Sequence, residues 1–267
     1  MTEIGDKLTG LKNIIRDMES CAVAFSGGVD STFLLAVASE VLGDRCVAIT
    51  ADSPMIPRHE AVAAQDFCKT NGINQIVITP DVLSDDLIRS NPKDRCYHCK
   101  KKIFAKMAEE SRAKGMEYVA DGTNTDDEGD YRPGMKALTE LGIRSPLREA
   151  GLSKSDIREL SKEMGLDTWD MPSFACLATR IPYGQEITEE ALRKIERAEG
   201  VLRDLGLKQY RVRAHGDLAR IEVAQEDILF VLDNRTKITE EIRKAGFVYV
   251  TADLAGYRTG SMNDVLS

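Results

Sequence analysis

Three groups of residues in this chain have the types and spacing that chemistry requires. The first is Ser26-Gly27-Gly28-Val29-Asp30-Ser31. Adjacent glycines let a backbone approach phosphate closely, the hydroxyls of Ser26 and Ser31 add donors, and Asp30 can orient the loop or help hold a metal ion. The second group is three cysteines with polar or glycine- and proline-bearing neighbours. Cys96 and Cys99 stand in Asp94-Arg95-Cys96-Tyr97-His98-Cys99-Lys100. Cys176 stands in Ser173-Phe174-Ala175-Cys176-Leu177-Ala178-Thr179-Arg180-Ile181-Pro182-Tyr183-Gly184. A Cys-x-x-Cys pair in a reducing compartment suggests metal or redox chemistry more than a structural disulfide. The third group is basic. Arg211 and Arg213 alternate along one predicted strand and so project from one face, and Arg258 lies in Gly256-Tyr257-Arg258-Thr259-Gly260-Ser261. Arg180, four residues after Cys176, can stabilise a thiolate or a phosphate, or stand as an ordinary surface charge.

The elements around the glycines give them their meaning. Cys21-Ala22-Val23-Ala24-Phe25 has the length and β character of a buried strand, and Thr32-Phe33-Leu34-Leu35-Ala36-Val37-Ala38 reads as a buried helix. Strand, glycine turn and helix aim backbone N–H groups and a positive helix end at an anion. A Walker A loop would need Gly-x-x-x-x-Gly-Lys-Ser/Thr, and no such lysine is present. Ser-Gly-Gly-x-Asp-Ser instead resembles the PP-loop of ATP pyrophosphatases, which release pyrophosphate and leave AMP on the substrate.

Further strands are predicted at 46–50, 75–79 and 118–120, with helices at 31–42, 58–71, 81–88 and 99–114. This alternation indicates an α/β fold with a doubly wound parallel sheet. Ligands of such sheets bind beyond the strand C-termini, where Ser26–Ser31, Ala51-Asp52-Ser53 and Asp121-Gly122-Thr123-Asn124 would emerge. ATP with Mg²⁺ is therefore expected at Ser26, Gly27, Gly28, Asp30 and Ser31, with the adenine near residues 50–53 and Gly122. Residues 123–130 read as a polar pocket loop. Ser153-Lys154-Ser155-Asp156 is a helix N-terminus with Ser153 as cap, and a new unit starts near Thr188. Strands at 209–214 and 219–223 flank His215-Gly216-Asp217, a hairpin turn. The expected division is a domain at 1–184 and a smaller α+β domain at 185–267.

The 267 residues carry a net charge of −8 with 30% charged residues. That argues against a large nucleic-acid footprint and leaves room for a small anionic substrate on a local arginine cluster. No apolar run approaches a membrane span, residues 1–20 form a charged amphipathic helix pattern rather than a signal peptide, and a cytoplasmic enzyme is expected. Cys21, Cys46 and Cys68 lie in apolar contexts and read as small core hydrophobes.

The glycine loop, both cysteine segments and the C-terminal Gly256–Ser261 stretch together resemble the LarE family over nearly the whole chain. These are ATP-dependent sulfurtransferases of nickel-pincer nucleotide synthesis. The resemblance implies that ATP adenylates a pyridinium biscarboxylate mononucleotide and that sulfur displaces AMP to give a thiocarboxylate. It implies that Arg211, Arg213 and Arg258 hold the substrate phosphate, a task suited to guanidinium forks. Some family members surrender the sulfur of the cysteine matching Cys176; others have three cysteines and a 4Fe-4S cluster. This chain has the three, so Cys96, Cys99 and Cys176 are the expected cluster ligands. The resemblance also suggests a homo-oligomer.

Alternatives stand beside each assignment. A zinc site would want a fourth ligand, and His98 is poorly placed to share the metal of its flanking cysteines. Cys96 and Cys99 also suit a redox dithiol, with Cys176 acting alone. The arginines suit solvated strand charges, Lys100 a solvated helix face or a pyrophosphate contact, and His215 a structural turn residue. Competing functions are a tRNA-thiolating PP-loop enzyme, which needs a broad basic surface, an ammonia-using ligase, which has no use for the three cysteines, and a non-catalytic nucleotide sensor. The physiological sulfur donor is not legible.

Overall fold

The computed structural model describes residues 3–129, 133–172, 175–258 and 260–262. Asp130 of the predicted pocket loop, Ser173 and Phe174 of the Cys176 segment, and Thr259 lie outside the described residues. In chain order the helices are α1 (Glu3–Asp17), α2 (Val29–Leu42), α3 (Arg58–Thr70), α4 (Asp86–Arg89), α5 (Arg95–Ala113), α6 (Pro133–Glu140), α7 (Pro146–Glu149), α8 (Lys154–Glu163), α9 (Glu189–Asp204), α10 (Ile228–Asp233) and α11 (Arg235–Lys244). The strands are β1 (Cys21–Ala24), β2 (Cys46–Ala51), β3 (Gln75–Ile78), β4 (Tyr118–Ala120), β5 (Tyr210–His215), β6 (Leu218–Val223) and β7 (Tyr249–Ala252). No helix of the described residues is long and apolar enough to cross a membrane.

Two compact units emerge: Met1–Val82 with Asp94–Phe174, and Leu83–Lys93 with Ala175–Ser267. The first holds a four-stranded sheet of order β3-β2-β1-β4, parallel throughout. The central strands β1 and β2 are buried, as parallel strands covered by helices must be, whereas the edge strand β3 leaves Val77 exposed. α2 is the clearest case: Phe33, Leu34, Leu35, Val37 and Ala38 are all inaccessible to solvent, and they pack with Leu11 and Ile15 of α1 and Leu160 of α8. Cys21, Cys46 and Cys68 belong to this core. Burial pushes the Cys68 thiol up to about 11, which suits that sulfur to packing rather than nucleophilic attack.

The second unit carries a three-stranded sheet of order β5-β6-β7, in which β6 pairs antiparallel with β5 and parallel with β7. β5 and β6 form the predicted hairpin. The boundary expected at Gly184 falls inside this unit. The Gly184 amide donates to the Asn91 carbonyl (2.9 Å) and the Ile187 amide to the Arg89 carbonyl (2.8 Å), which ties the 83–93 segment to the chain after Cys176. Asn91 is fully buried with φ of 55°, a conformation asparagine tolerates better than most residues, and its side-chain amide donates to the carbonyls of Ile181 and Pro182. The helix expected over 81–88 is reduced to the turn α4. Pro80, Ser84 and Asp85 interrupt any longer run, and Asp85 caps the turn by accepting from the Leu87 amide.

Candidate active site

In the first unit the chain leaves β1, turns through Ser26-Gly27-Gly28 and enters α2 at Val29. Gly27 has φ of 77°, which glycine adopts without penalty. The turn is laced by its own hydroxyls. Ser26 and Ser31 stand 3.2 Å apart, and Ser31 Oγ donates to the Gly28 carbonyl at 3.1 Å. No side chain caps α2 at Gly28, so the positive helix end keeps its capacity for an anion. Gly122, at the end of β4, lies against this helix start. A Cβ there would meet the Ser31 amide nitrogen at 3.0 Å and Asp30 at 3.3 Å. Gly122→Val should therefore push the loop out of register and weaken nucleotide binding, measured by titration with ATP, while the β1 and β2 core stays intact.

Beside the end of β2 a cleft of ≈ 50 Å³ is lined by Thr50, Asp52, Arg58, Ala61, Val62, Gln65 and Val77. The first unit thus places Ala51, which ends β2, the loop Ser26–Ser31 and Gly122 at the C-terminal ends of β2, β1 and β4. The Asp30 carboxylate accepts from Lys154 Nζ at 2.5 Å and from Asn124 Nδ2 at 3.4 Å. Asp121 is buried and accepts from Ser145 and Thr123.

The helix expected to begin at Cys99 begins at Arg95. Cys96 and Cys99 consequently lie three residues apart on one helix, on the same face, and both are half-buried. Arg95 is almost fully buried, with a guanidinium nitrogen 4.0 Å from Cys96 Sγ. Lys101 is engaged by Glu140 and Tyr97, whose hydrogen bonds raise its pKa. Lys100 lays its stem over Gly134, where a Cβ would meet its Cδ at 2.6 Å. Among the described residues no group of three or more His, Cys, Asp or Glu side chains is arranged to hold a metal ion.

Cys176 belongs to the second unit, half-buried at the head of a 3-10 turn, Leu177–Arg180. Arg180 organises that turn. It is 1% exposed and grips Glu199 of α9 with two bonds, at 2.8 and 3.0 Å. Its remaining nitrogen reaches the Ala175 carbonyl, the Cys176 carbonyl and the Thr179 hydroxyl. Arg180 as placed acts on the backbone that presents the thiol. Glu199 also accepts from the Val212 amide of β5 at 3.0 Å.

Arg211 and Arg213 share a face of β5, opposite Glu222 and Arg220 of β6. Arg213 makes a two-bond pair with Glu222, at 3.0 and 2.8 Å, and also donates to the Thr179 carbonyl and the Ser261 hydroxyl. Arg211 stacks its guanidinium 5.2 Å from the Tyr257 ring centre. Residues on both sides of exposed Arg258 therefore touch the β5 arginines. Three buried guanidinium groups (Arg180, Arg211, Arg213) lie with two buried carboxylates (Glu199, Glu222). Burial, followed by the nearby Arg180 charge, pushes the Arg211 pKa down. An anion would relieve that repulsion. His215 stands exposed at the hairpin turn.

Sequence reasoning missed Glu199, Glu222 and Asn91. For Glu222 the signal was the alternation Arg220-Ile221-Glu222-Val223, which matches the Arg211/Arg213 alternation on the neighbouring strand.

No protein-family model matches the chain. It is 38% identical to the pyridinium-3,5-bisthiocarboxylic acid mononucleotide synthase of Lactiplantibacillus plantarum over 100% of this chain and 97% of that protein. The chain belongs to this synthase family, the LarE family. It is also 42% identical to the uncharacterized protein slr1717 of Synechocystis sp., over 98% of both chains. A more distant similarity, 27% identity over 70% of this chain and 65% of that protein, joins it to a glutamine-hydrolysing GMP synthase component of Thermoplasma volcanium. LarE membership accounts for the α/β architecture with its glycine loop, and places both cysteine segments and all three arginines within the aligned length.

Proposed function

We propose that this chain is an ATP-dependent sulfurtransferase that adenylates the carboxylates of a pyridinium biscarboxylate mononucleotide and converts them to thiocarboxylates. The observation that carries this reading is the shared scaffold of the second unit. Arg180 and Arg213 both hold the Cys176 turn, and Arg213 lies in the cationic cluster that suits a substrate phosphate.

ATP with Mg²⁺ would sit on the Ser26–Ser31 loop, where the helix end and backbone amides favour phosphate. The adenine would lie near Thr50–Ser53, against the exposed apolar side chains of Val62 and Val77. A carboxylate oxygen attacks the α-phosphate and pyrophosphate leaves. This exchanges a poor leaving group, oxide, for AMP. A sulfur nucleophile then attacks the acyl carbon and AMP departs.

Cys96, Cys99 and Cys176 offer soft thiolate donors and no harder ones, a set that fits an iron–sulfur group. They would hold a 4Fe-4S cluster, the first two from one helix face. When bound, such a group supplies a sulfide at its iron lacking a protein ligand. The residues' own part is to ligate through sulfur, while Arg180 fixes the backbone on either side of Cys176.

The reading is tested by substrate dependence. Each guanidinium–phosphate bond contributes roughly 1.5–3 kcal/mol. Single alanine substitutions of Arg211, Arg213 and Arg258 should then raise the mononucleotide concentration needed for pyrophosphate release by about ten- to a hundredfold. Unchanged dependence in all three variants would return them to structural charges. Release with tRNA or ammonia in place of the mononucleotide would favour the competing enzymes.

A further inference from the structure

We infer that Asn91 is a positioning residue for Cys176, clamping the chain where it leaves the thiol-bearing turn. This role rests on the sulfur-transfer reading above and deepens it. Asn91 comes from a different stretch of chain, the strap 83–93, which lies between β3 and α5 in sequence and belongs to the second unit.

The turn needs such a clamp. It is a four-residue 3-10 turn, Leu177–Arg180, and 3-10 hydrogen bonds have poor geometry and hold only short pieces. Its backbone carbonyls are instead taken up from outside. Arg180 binds those of Ala175 and Cys176, and Arg213 binds that of Thr179. Asn91 continues the run on the far side. Its side-chain amide donates to the Ile181 carbonyl at 3.2 Å and to the Pro182 carbonyl at 2.8 Å, while its own carbonyl accepts from the Gly184 amide at 2.9 Å. The Arg89 carbonyl extends the tie to the Ile187 amide at 2.8 Å.

Few residues could replace it. Asn91 is 0% exposed and Ile181 3%, and a buried carbonyl stripped of its donor bears the full cost of desolvation. The position calls for two N–H donors on a short side chain, and for a backbone φ of 55°, which asparagine tolerates better than most residues. An ionised aspartate has the size and no donor. Arg180 thus pins the entry of the Cys176 turn and Asn91 pins its exit, so the thiol is presented from a backbone fixed at both ends.

The test uses the full chain with Asn91→Gly and Asn91→Asp. Glycine keeps the left-handed backbone open and removes the side-chain donors alone. In the metal-free Asn91→Gly chain, hydrogen exchange at the Gly184 and Ile187 amides should rise about ten- to a hundredfold. Exchange in β1 and β2 should stay as it was, which also verifies folding. Cys176 should be alkylated faster by a thiol reagent. Supplied with ATP and mononucleotide, the variant should release pyrophosphate with its usual substrate dependence and incorporate at least about tenfold less sulfur. Asn91→Asp should not restore these properties. Exchange rising equally in both units would make Asn91 a residue of folding alone and overturn the inference. Unchanged exchange at Gly184 and Ile187, unchanged Cys176 alkylation, or an Asn91→Asp chain that behaves normally would overturn it too. An unsubstituted chain that moves no sulfur overturns the sulfur-transfer reading, whereas a normal Asn91→Gly chain overturns this role alone, so the two failures are distinguishable.

Discussion

Asp30→Ala is expected to lower mononucleotide-dependent pyrophosphate release by about 10²–10³-fold, the usual loss when one electrostatic contact to a reacting group is removed. The carboxylate sits at the second position of α2, on the helix whose uncapped N-terminus faces the loop. Its loss removes the oxygen assigned to the metal ion of the nucleotide. Folding should be almost unaffected. The Asp30–Lys154 pair is partly open to water, where such pairs contribute about 0–1 kcal/mol. Asp30 contributes no hydrophobic surface to the α2 core either. The measurement is paired: pyrophosphate release by a coupled assay, and the urea midpoint of the same sample. Normal release in a folded variant would remove Asp30 from the site.

The second large effect is expected from Arg180→Ala, and it falls on stability and sulfur transfer together. The substitution leaves Glu199 buried without the guanidinium that neutralises it. Breaking a buried ion pair from one side costs about 3–5 kcal/mol. Three further contacts vanish, at the Ala175 carbonyl, the Cys176 carbonyl and the Thr179 hydroxyl. The Cys176 turn then loses its inner support, while the glycine loop of the first unit keeps its own geometry. Sulfur incorporation should accordingly fall much further than pyrophosphate release. Cys176 should also react faster with a thiol reagent in the variant. Arg180→Lys should fail to rescue, since an ammonium cannot span the Glu199 fork and two carbonyls at once. An Arg180→Ala chain of normal stability and normal sulfur transfer would show that the turn is held by other means.

Much of this is legible in the sequence where the signal is local. The Ser-Gly-Gly-x-Asp-Ser turn between an apolar strand and an apolar helix is a contiguous pattern, and the structure places it between β1 and α2. The buried roles of Cys21, Cys46 and Cys68 follow from their apolar neighbours. What escapes depends on pairing across the chain. Lys154 reads as one residue of a helix start until Asp30 is seen beside its ammonium. Glu199 lies next to the apolar stripe of α9, and only burial against Arg180 reveals it as a counter-ion. The 83–93 segment carries no composition shift that would assign it to the second unit; the Asn91 hydrogen bonds do that. The start of α5 reads four residues late because Asp94-Arg95-Cys96 lacks an apolar period, although Arg95 is buried there.

The central claim is that this chain moves sulfur onto an adenylated carboxylate. The most direct measurement is the mass of the mononucleotide after anaerobic incubation of the full chain with ATP, Mg²⁺ and isotope-labelled sulfide. Iron, AMP and pyrophosphate are counted in the same sample. The expected result is product with labelled sulfur in place of carboxylate oxygen, more than one per chain, one AMP for each sulfur, and about four irons per chain. AMP release with no sulfur in the product would contradict the claim. Sulfur limited to one per chain, with Cys176 lighter by the elements of hydrogen sulfide and iron absent, would retain the transfer and overturn the cluster.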